Sequence, residues 1–380
     1  MTGIPPSRSS PFRRAVTQMD WLLVLATLLL SLTGIFMIYS AIHSNPVFLN
    51  NSLHLKQALW SSIGLCVLLC ILFFDYRFFT RWAYFFYAIV IVLLITVLIS
   101  GQVVYGAKRW LVFGPFRLQP SELARLAVIL VLARYFGSRG EENPIGFKEL
   151  IPAFLLTVVP VLLIVRQPDL GTGLTVFLIA GAMVLVVGVK RRVILTIGCV
   201  AIAFAPLGWF FLKPYQRQRI LTLFNPDADP LGAGYQSMQS IIAVGSGEIW
   251  GKGLLQGTQS RLHFLPEKHT DFIFSVLSEE LGFIGSVAVL ALFFIFILRC
   301  LSAALNAADK EGALLAVGIT TAFFLYIIFN IGMTLGLLPI VGIPLPLVSY
   351  GGSASISSFI AIALVLNVGM RRRSLTPAFG

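Results

Sequence analysis

The chain has 380 residues, of which 57% are hydrophobic and only 12% are charged. A soluble domain carries about 25% charged residues, so this chain has too few charged residues to cover a surface that faces water. A mean hydropathy of +0.90 also excludes a disordered chain. The net charge of +12 would suggest a nucleic-acid partner in a soluble protein. Here the basic residues stand in short clusters between apolar runs, which is typical of membrane topology and argues against nucleic acid. We therefore predict an all-α integral membrane protein.

A transmembrane helix needs about 20 consecutive apolar residues, and this requirement places about ten helices along the chain. The predicted spans lie near residues 19–42, 57–74, 82–101, 122–138, 150–165, 170–189, 193–212, 273–298, 313–336 and 350–370. The stretch from Gly312 to Met370 has no charged residue and is too long for one span. Its Pro- and Gly-rich middle, 337–346, divides it into the ninth and tenth spans.

The loops sort into two sides by charge. Short segments of one alternating set carry most of the clustered Lys and Arg residues, among them 190–192 and 371–373. Because positive segments stay in the cytoplasm, we predict a single polytopic domain, 1–380, with cytoplasmic tails at 1–18 and 371–380. The large loop 213–272, between the seventh and eighth helices, is then extracytoplasmic.

The unusual polar motifs all fall on the predicted outer side. They lie at 108–110, 119–122, 167–171, in the loop 213–272, and at 344–353. The cytoplasmic loops contain no P-loop and no dinucleotide fingerprint. We therefore predict a reaction at the outer surface, where nucleotides are absent and the substrate must bring its own activated leaving group.

Asp271 is the last charged residue before the eighth span. One interpretation is that Thr270 or Asp271 is the N-cap of that helix. The other is that Asp271 is a general base, because partial burial at the membrane surface tunes a carboxylate toward neutral pH. Six charged or imidazole side chains between residues 261 and 271 favour the functional interpretation.

Basic side chains form a second candidate group on the outer side. Its members are Lys108, Arg109, Arg217, Arg219, Arg261 and Lys268. They could attract lipid phosphates generally or pair with Asp169, Glu122 and Glu267. They could also clamp a pyrophosphate and stabilise charge on a leaving group. The alternating polar side chains of 215–219 predict one binding face.

Polar residues at membrane depth form a third group, since such residues usually face a bundle interior or a wet cavity. They are Glu122, Arg125, Asp169, Glu279, Glu280 and Asn330. Glu122 and Arg125 are spaced i, i+3 and are predicted to pair. A buried pair that fixes helix register is an equally good interpretation for Glu122–Arg125 and for the two glutamates. In 349–353, the glycines could offer N–H groups to an anion.

Five motifs in order resemble those of the SEDS family (shape, elongation, division and sporulation). They are Gly106–Trp110, Gln119–Glu122, Gln167–Thr172, Phe264–Phe274 and Leu347–Ser353. The resemblance runs from about residue 20 to residue 372. Two further stretches, 229–235 and 257–260, are more similar to the rod-shape branch than to the division branch. Arg125 stands where relatives often carry Lys, which keeps the charge but changes the pairing geometry.

The resemblance implies a GT-C-like ten-helix fold and a peptidoglycan glycosyltransferase that polymerises lipid II in the bacterial cytoplasmic (inner) membrane during elongation. It implies that Asp271 is the essential carboxylate. It also implies a class B penicillin-binding protein as crosslinking partner, alongside other elongation-complex membrane proteins. A lipid II flippase and a non-catalytic scaffold are the alternatives, but the one-sided clustering of polar motifs favours the polymerase.

The expected mechanism is an inverting transfer in which Asp271 takes a proton from the acceptor sugar. Cations from the second group, or a bound Mg²⁺ or Mn²⁺, would stabilise the departing pyrophosphate. The remaining candidate substrate-binding residues are Trp110, Tyr235, His269, Ser349, Tyr350 and Gly351.

Overall fold

The computed structural model describes residues 18–43, 52–104, 107–114, 116–139, 144–226, 229, 232–261 and 267–371. Long apolar helices dominate these residues. The helices are α1 Trp21–His43, α2 Leu53–Leu72, α3 Tyr76–Arg81, α4 Ala83–Ser100, α5 Pro120–Gly137, α6 Phe147–Arg166, α7 Leu170–Val187, α8 Arg191–Phe211, α9 Pro214–Phe224, α10 Ala233–Ser246, α11 Thr258–Arg261, α12 Ile273–Leu305, α13 Lys310–Thr334 and α14 Gly352–Met370.

Each of the ten predicted spans overlaps one of these helices. In the described residues, eight helices are long and apolar enough to cross a membrane, so the chain is a multi-pass membrane protein. The predicted fourth and seventh spans coincide with the two remaining long helices, α5 and α8. A total of ten spans and the side on which 213–272 lies stay predictions.

The charged helix α5 is explained by its position in the bundle. Most of its residues are buried, including Glu122 and Arg125. The helices α13 and α14 are also mostly buried, at 61% and 67% of their most apolar stretch, whereas α4 and α6 reach only 22%. The outer helices present Leu, Ile and Phe side chains away from the bundle, as a lipid-facing surface requires.

One end of the bundle carries short elements that the hydropathy pattern does not predict. The strands β1 Gln102–Val104, β2 Ala107–Phe113 and β3 Phe116–Leu118 form an antiparallel sheet in the order β1-β2-β3. Gly114, with a φ of 60°, begins the tight turn between β2 and β3. Helices α9, α10 and α11 lie in the loop 213–272. This end is called the site end below.

The opposite end is held by ion pairs and one buried amide. Arg77 contacts Asp309 at 2.8 Å, and Arg299 contacts Asp20 at 2.7 Å. The buried Asn367 donates through Nδ2 to the carbonyl oxygens of Ile71 and Phe74 at 3.2 and 2.6 Å, which joins α14 to the end of α2.

Candidate active site

Asp271 lies in a turn that directly precedes α12. The N-cap of α12 is Phe272, and no side chain caps the helix, so the interpretation of Thr270 or Asp271 as a helix cap is wrong. The Asp271 carbonyl oxygen instead accepts a hydrogen bond of 2.9 Å from Asn330 Nδ2, which also donates to Ile343 O at 2.8 Å.

The coil between α13 and α14 forms the floor beneath Asp271. Gly342 in this coil has a φ of 71°, and a Cβ added there would lie 3.3 Å from Asp271 Oδ2. Ser349 Oγ donates to Thr270 O at 2.6 Å and accepts from Leu345 N at 2.8 Å. Ser349 therefore joins the backbone before Asp271 to the coil, and a second hydrogen bond within the coil fixes the Ser349 hydroxyl.

Burial and charge set the protonation of Asp271. Burial raises the pKa of Asp271 to about 6, and the negative charge of Glu267 adds to the rise. Arg219 and Arg109 lower the pKa, because each stabilises the carboxylate, while Asp169 raises it. Five charged side chains thus act on one another within the same small volume.

Arg109, which acts on Asp271, is a residue of strand β2. Its Nε donates to Gln167 O at 3.3 Å, and its Nη2 donates to Pro168 O. Its Nη1 lies 3.9 Å from Asp169 Oδ1. Asp169 is buried and caps α7, accepting from Thr172 N at 3.4 Å. The guanidinium is therefore braced by the loop that opens α7.

Arg219, the second arginine that acts on Asp271, is a residue of helix α9. Its Nη1 donates to Ile340 O at 3.0 Å. Burial lowers the pKa of Arg219, and the positive charge of Arg109 lowers it further. Two guanidiniums that repel each other beside a carboxylate form a site where an added anion is stabilised.

Arg217 does not share a face with Arg219. Residues 214–224 form a helix, in which side chains two positions apart point about 200° from each other. Arg217 Nη2 donates to Phe210 O at 2.8 Å. The prediction of one binding face from the alternation at 215–219 is wrong, because the segment is a helix and not an extended strand.

The turn before Asp271 contributes Lys268 and His269. Burial lowers the pKa of Lys268 to about 8, while the charge of Glu280 opposes the shift. Burial also lowers the pKa of His269, so the imidazole is neutral at pH 7. The His269 ring lies 5.8 Å from the Tyr350 ring.

The backbone of the 349–351 segment binds protein groups. Tyr350 N donates to His269 O at 2.9 Å, and Gly351 N donates to Gln57 Oε1 at 3.1 Å. Neither of these two N–H groups is available to a phosphate. Anion binding by the other N–H groups of 349–353 stays a prediction. Ser349 and Tyr350 hold the turn that carries Asp271, while Gly351 binds Gln57 of α2.

The remaining predicted substrate-binding residues lie on β2, α10 and α11. Lys108 is exposed, and Trp110 is opposite Gln102 in the sheet. Tyr235 is in the first turn of α10. The Arg261 side chain lies outside what the structure describes.

The polar residues Glu122 and Arg125 at membrane depth bind each other and other protein side chains. Arg125 Nη2 lies 3.0 Å from Glu122 Oε2, and the Arg125 guanidinium lies 4.1 Å from the centre of the Tyr326 ring. Ser357 Oγ donates to Glu122 Oε2 at 3.2 Å. The predicted Glu122–Arg125 pair is present, while the spacing gave no signal for Tyr326 or Ser357 because they come from α13 and α14.

The two glutamates of α12 bind partners that the sequence also did not indicate. Glu279 Oε1 lies 2.8 Å from Lys252 Nζ. Glu280 accepts from Ser40 Oγ at 2.7 and 2.5 Å. Both carboxylates are buried, and both bind a residue from another element.

The described side chains do not form a metal-binding cage. No group of three or more His, Cys, Asp or Glu residues in the described part of the chain could hold a metal ion. Two guanidiniums act on Asp271 instead, and such a donor set does not suit a cation. We derive no step through a metal.

The chain is similar to known proteins over most of its length. The family model described as "Cell cycle protein", FtsW/RodA/SpoVE, matches residues 20–374. Peptidoglycan glycosyltransferase MrdB of Escherichia coli K12 is 44% identical over 316 residues, covering 83% of this chain and 85% of the relative. Peptidoglycan glycosyltransferase RodA of Treponema pallidum is 33% identical, covering 94% and 99%.

Solved structures show the same fold. A chain from a peptidoglycan synthase complex, described as coordinating polymerization and crosslinking, has a TM-score of 0.80 and 32% identity, covering 94% of this chain and 99% of that one. The crystal structure of RodA from Thermus thermophilus has a TM-score of 0.69 and 29% identity, covering 93% and 98%. The chain belongs to the FtsW/RodA/SpoVE family, the SEDS family that its five motifs resemble.

Proposed function

We propose that this peptidoglycan glycosyltransferase polymerises lipid II into glycan strands at the outer face of the bacterial cytoplasmic membrane during cell elongation. The observation that carries the proposal is one partly buried carboxylate, Asp271, on which the guanidiniums of Arg109 and Arg219 act. The 44% identity to Peptidoglycan glycosyltransferase MrdB supports the reaction class. The proposal assigns Asp271 as general base and the arginines as leaving-group stabilisers.

The acceptor step follows from the pKa of Asp271. A value of about 6 leaves the carboxylate ionised at neutral pH yet basic enough to take a proton in the transition state. The proton comes from the 4-hydroxyl of the acceptor GlcNAc, whose oxygen attacks the anomeric carbon of the donor MurNAc. The bond from that carbon to the pyrophosphate oxygen breaks, and the configuration inverts.

The leaving group is polyprenyl pyrophosphate, and it needs cations that are already in place. Arg109 is braced by Gln167 O, and Arg219 by Ile340 O, so neither side chain must reorganise when charge develops. Lys268 in the adjacent turn and the outer-side cations Lys108 and Arg261 add positive charge. Sugar rings stack on Trp110 and Tyr235.

We also propose an orientation of the chain in the membrane. Both termini are cytoplasmic, 213–272 is extracytoplasmic, and the chain is one polytopic membrane domain. The clustered basic loops support this orientation. A class B penicillin-binding protein crosslinks the new strands beside it, together with other elongation-complex membrane proteins. A synthase complex that combines polymerization and crosslinking contains a chain of the same fold, which supports such a partner.

The test is glycan synthesis by the purified chain in liposomes that contain lipid II. The reaction is run with and without the class B partner, and with and without EDTA. We expect glycan strands, with more product when the partner is present. Lipid II that crosses the bilayer without polymer formation would indicate a flippase instead, and neither activity alongside normal partner binding would indicate a scaffold.

A further inference from the structure

Helix α12 breaks at Gly282, about three turns after Asp271, and a loop enters the break. Gly282 has a φ of 67° and a ψ of −163°, which is not helical. The N–H groups of residues 283 and 284 then donate to the carbonyls of 248 and 249, at 2.8 and 3.2 Å. The carbonyls of 279 and 280 accept from the N–H groups of 252 and 253, both at 3.0 Å. The loop 248–253 therefore satisfies the hydrogen bonds that the break releases.

Close backbone approach explains two glycines at this crossing. Gly251 has a φ of 79°, and a Cβ on either Gly251 or Gly282 would collide with the backbone of the other segment. Backbone groups at membrane depth must find protein partners. The crossing therefore holds the loop against α12 as a fixed unit.

The side chain of Glu279 ties the next part of the loop to the same place. Its Oε1 accepts from Thr258 N at 2.7 Å, from Gln259 N at 3.0 Å and from Thr258 Oγ1 at 3.0 Å. It also accepts from Lys252 Nζ at 2.8 Å. Thr258 begins α11, so a carboxylate from another helix serves as the N-terminal cap of this turn.

The second carboxylate oxygen, Oε2, is buried and has no hydrogen-bond partner in the described part of the chain. A buried polar atom without a partner destabilises the fold, and an apolar residue of similar shape often replaces a buried ion pair without loss of stability. Fold stability alone therefore gives little reason for a carboxylate here. The groups that Glu279 binds give a better reason for a carboxylate at this position.

The segment between Thr258 and Asp271 is held to α12 at both ends. At its start, Thr258 and Gln259 bind Glu279. At its end, the backbone passes from Asp271 directly into the first turn of α12. The neighbouring Glu280 also acts on Lys268, because its charge raises the pKa of that amine. Both glutamates thus act on the segment that carries the general base.

We infer that Glu279 is a positioning residue: by capping the Thr258–Arg261 turn, it fixes this turn, which carries the cation Arg261, relative to α12, the helix that the general base Asp271 directly precedes. The inference rests on the proposed polymerase function. A displacement of about 1 Å in a catalytic group can lower the rate about 100-fold. Because the cations and the base act in the transition state, the loss falls on kcat more than on KM.

The test compares Glu279→Leu with Glu279→Gln in the full-length chain with lipid II. The leucine removes the cap, and we expect kcat to fall at least about tenfold while KM stays within about threefold. The glutamine keeps an oxygen that can accept from both N–H groups, and we expect it to restore kcat to within about threefold. The matched control is Glu311→Leu. Like Glu279, Glu311 pairs with a basic side chain, here Arg134, and has a buried oxygen without a partner in the described residues, but it lies at the opposite end.

A second variant reaches the same contact from the loop side. Thr258 is exposed and is the first residue of its helical turn, where proline is tolerated. Thr258→Pro removes two of the hydrogen bonds to Glu279 and leaves the carboxylate intact. We expect kcat to fall at least about threefold, and the double variant with Glu279→Leu to lose little more than Glu279→Leu alone.

The outcomes separate this inference from the proposed function. A wild-type chain that makes no glycan overturns the proposed function. A wild-type chain that polymerises, with folded Glu279→Leu at full kcat, overturns the inference. Equal kcat losses in Glu279→Leu and Glu311→Leu overturn it too, since both would then follow from general destabilisation. Should Glu279→Leu not fold, an unchanged kcat in Thr258→Pro overturns it.

Discussion

A buried amide, Asn330, connects the general base to the floor of the site, and its removal tests whether that connection matters for catalysis. Asn330→Leu deletes the Nδ2 group that donates to Asp271 O at 2.9 Å and to Ile343 O at 2.8 Å. Leaving a buried acceptor without its donor costs about 1–3 kcal/mol. Asn330 Oδ1 is itself buried without a partner in the described residues, so its removal returns part of this loss. We expect a net destabilisation of about 2 kcal/mol.

The chain offers a matched amide at the other end. Asn367 Nδ2 also donates to two carbonyls, and Asn367 Oδ1 additionally accepts from Tyr76 N at 3.0 Å and Arg371 Nε at 2.9 Å. Asn367→Leu therefore loses more hydrogen bonds and should destabilise the fold by more than Asn330→Leu. Only Asn330→Leu should lower the activity of the folded protein, by about tenfold or more.

The two quantities are measured separately on the same preparations. Thermal unfolding in detergent, followed by tryptophan fluorescence, ranks the stabilities. The initial rate of glycan formation from lipid II, per mole of folded protein, ranks the activities. We expect Asn367→Leu to be the less stable variant and Asn330→Leu to be the less active one. If activity follows stability, or if Asn330→Leu keeps full activity, the carbonyl contact does not position Asp271.

Three further predictions concern the same site. The rate of glycan formation should rise with pH through about 6, as Asp271 ionises, and fall above about 8, as Lys268 loses its charge. Lys268→Arg should move only the fall at high pH, and a rate that does not change with pH would contradict the roles of both Asp271 and Lys268. Arg219→Gln should lower kcat/KM about tenfold or more, whereas Arg217→Gln, which loses a contact to Phe210 O, should stay within about threefold, as steady-state kinetics will show. Gly342→Ala should lower both Tm and kcat, since its φ of 71° disfavours a side chain and its Cβ would crowd Asp271; an alanine variant with unchanged rate would count against that packing.

The long helices were predictable because the bilayer sets their length. A span near 273–298 became a helix at Ile273–Leu305, and one near 57–74 became Leu53–Leu72. The short elements at the site end were not predictable, since long-range contacts hold them. In the sheet, for example, Arg117 O accepts from Ser353 Oγ at 2.9 Å, and no local pattern encodes that contact.

The candidate site was predictable in composition but not in arrangement. Asp271 stood out as the last charge before a span, and Arg109 and Arg219 as outer-side cations. Their mutual repulsion shows that β2 and α9, which are far apart in sequence, place these two side chains near each other. Arg217 shows most clearly what the sequence alone leaves undecided. Side chains two positions apart, such as Arg217 and Arg219, lie on the same face of a strand but on opposite faces of a helix. Only the structure fixes which of the two applies.

The most direct test of Asp271 as general base is the rate of glycan formation by Asp271→Asn, in the complete membrane complex with lipid II. The amide keeps the shape and cannot take the proton, so we predict a loss of about 10²–10⁴-fold in kcat with normal membrane insertion and partner binding. The control is Asp229→Asn, because Asp229 lies in the same loop and its carboxylate accepts from Ala233 N at 2.8 Å; it should retain its rate. An Asp271→Asn chain that polymerises lipid II at the wild-type rate would contradict the mechanism.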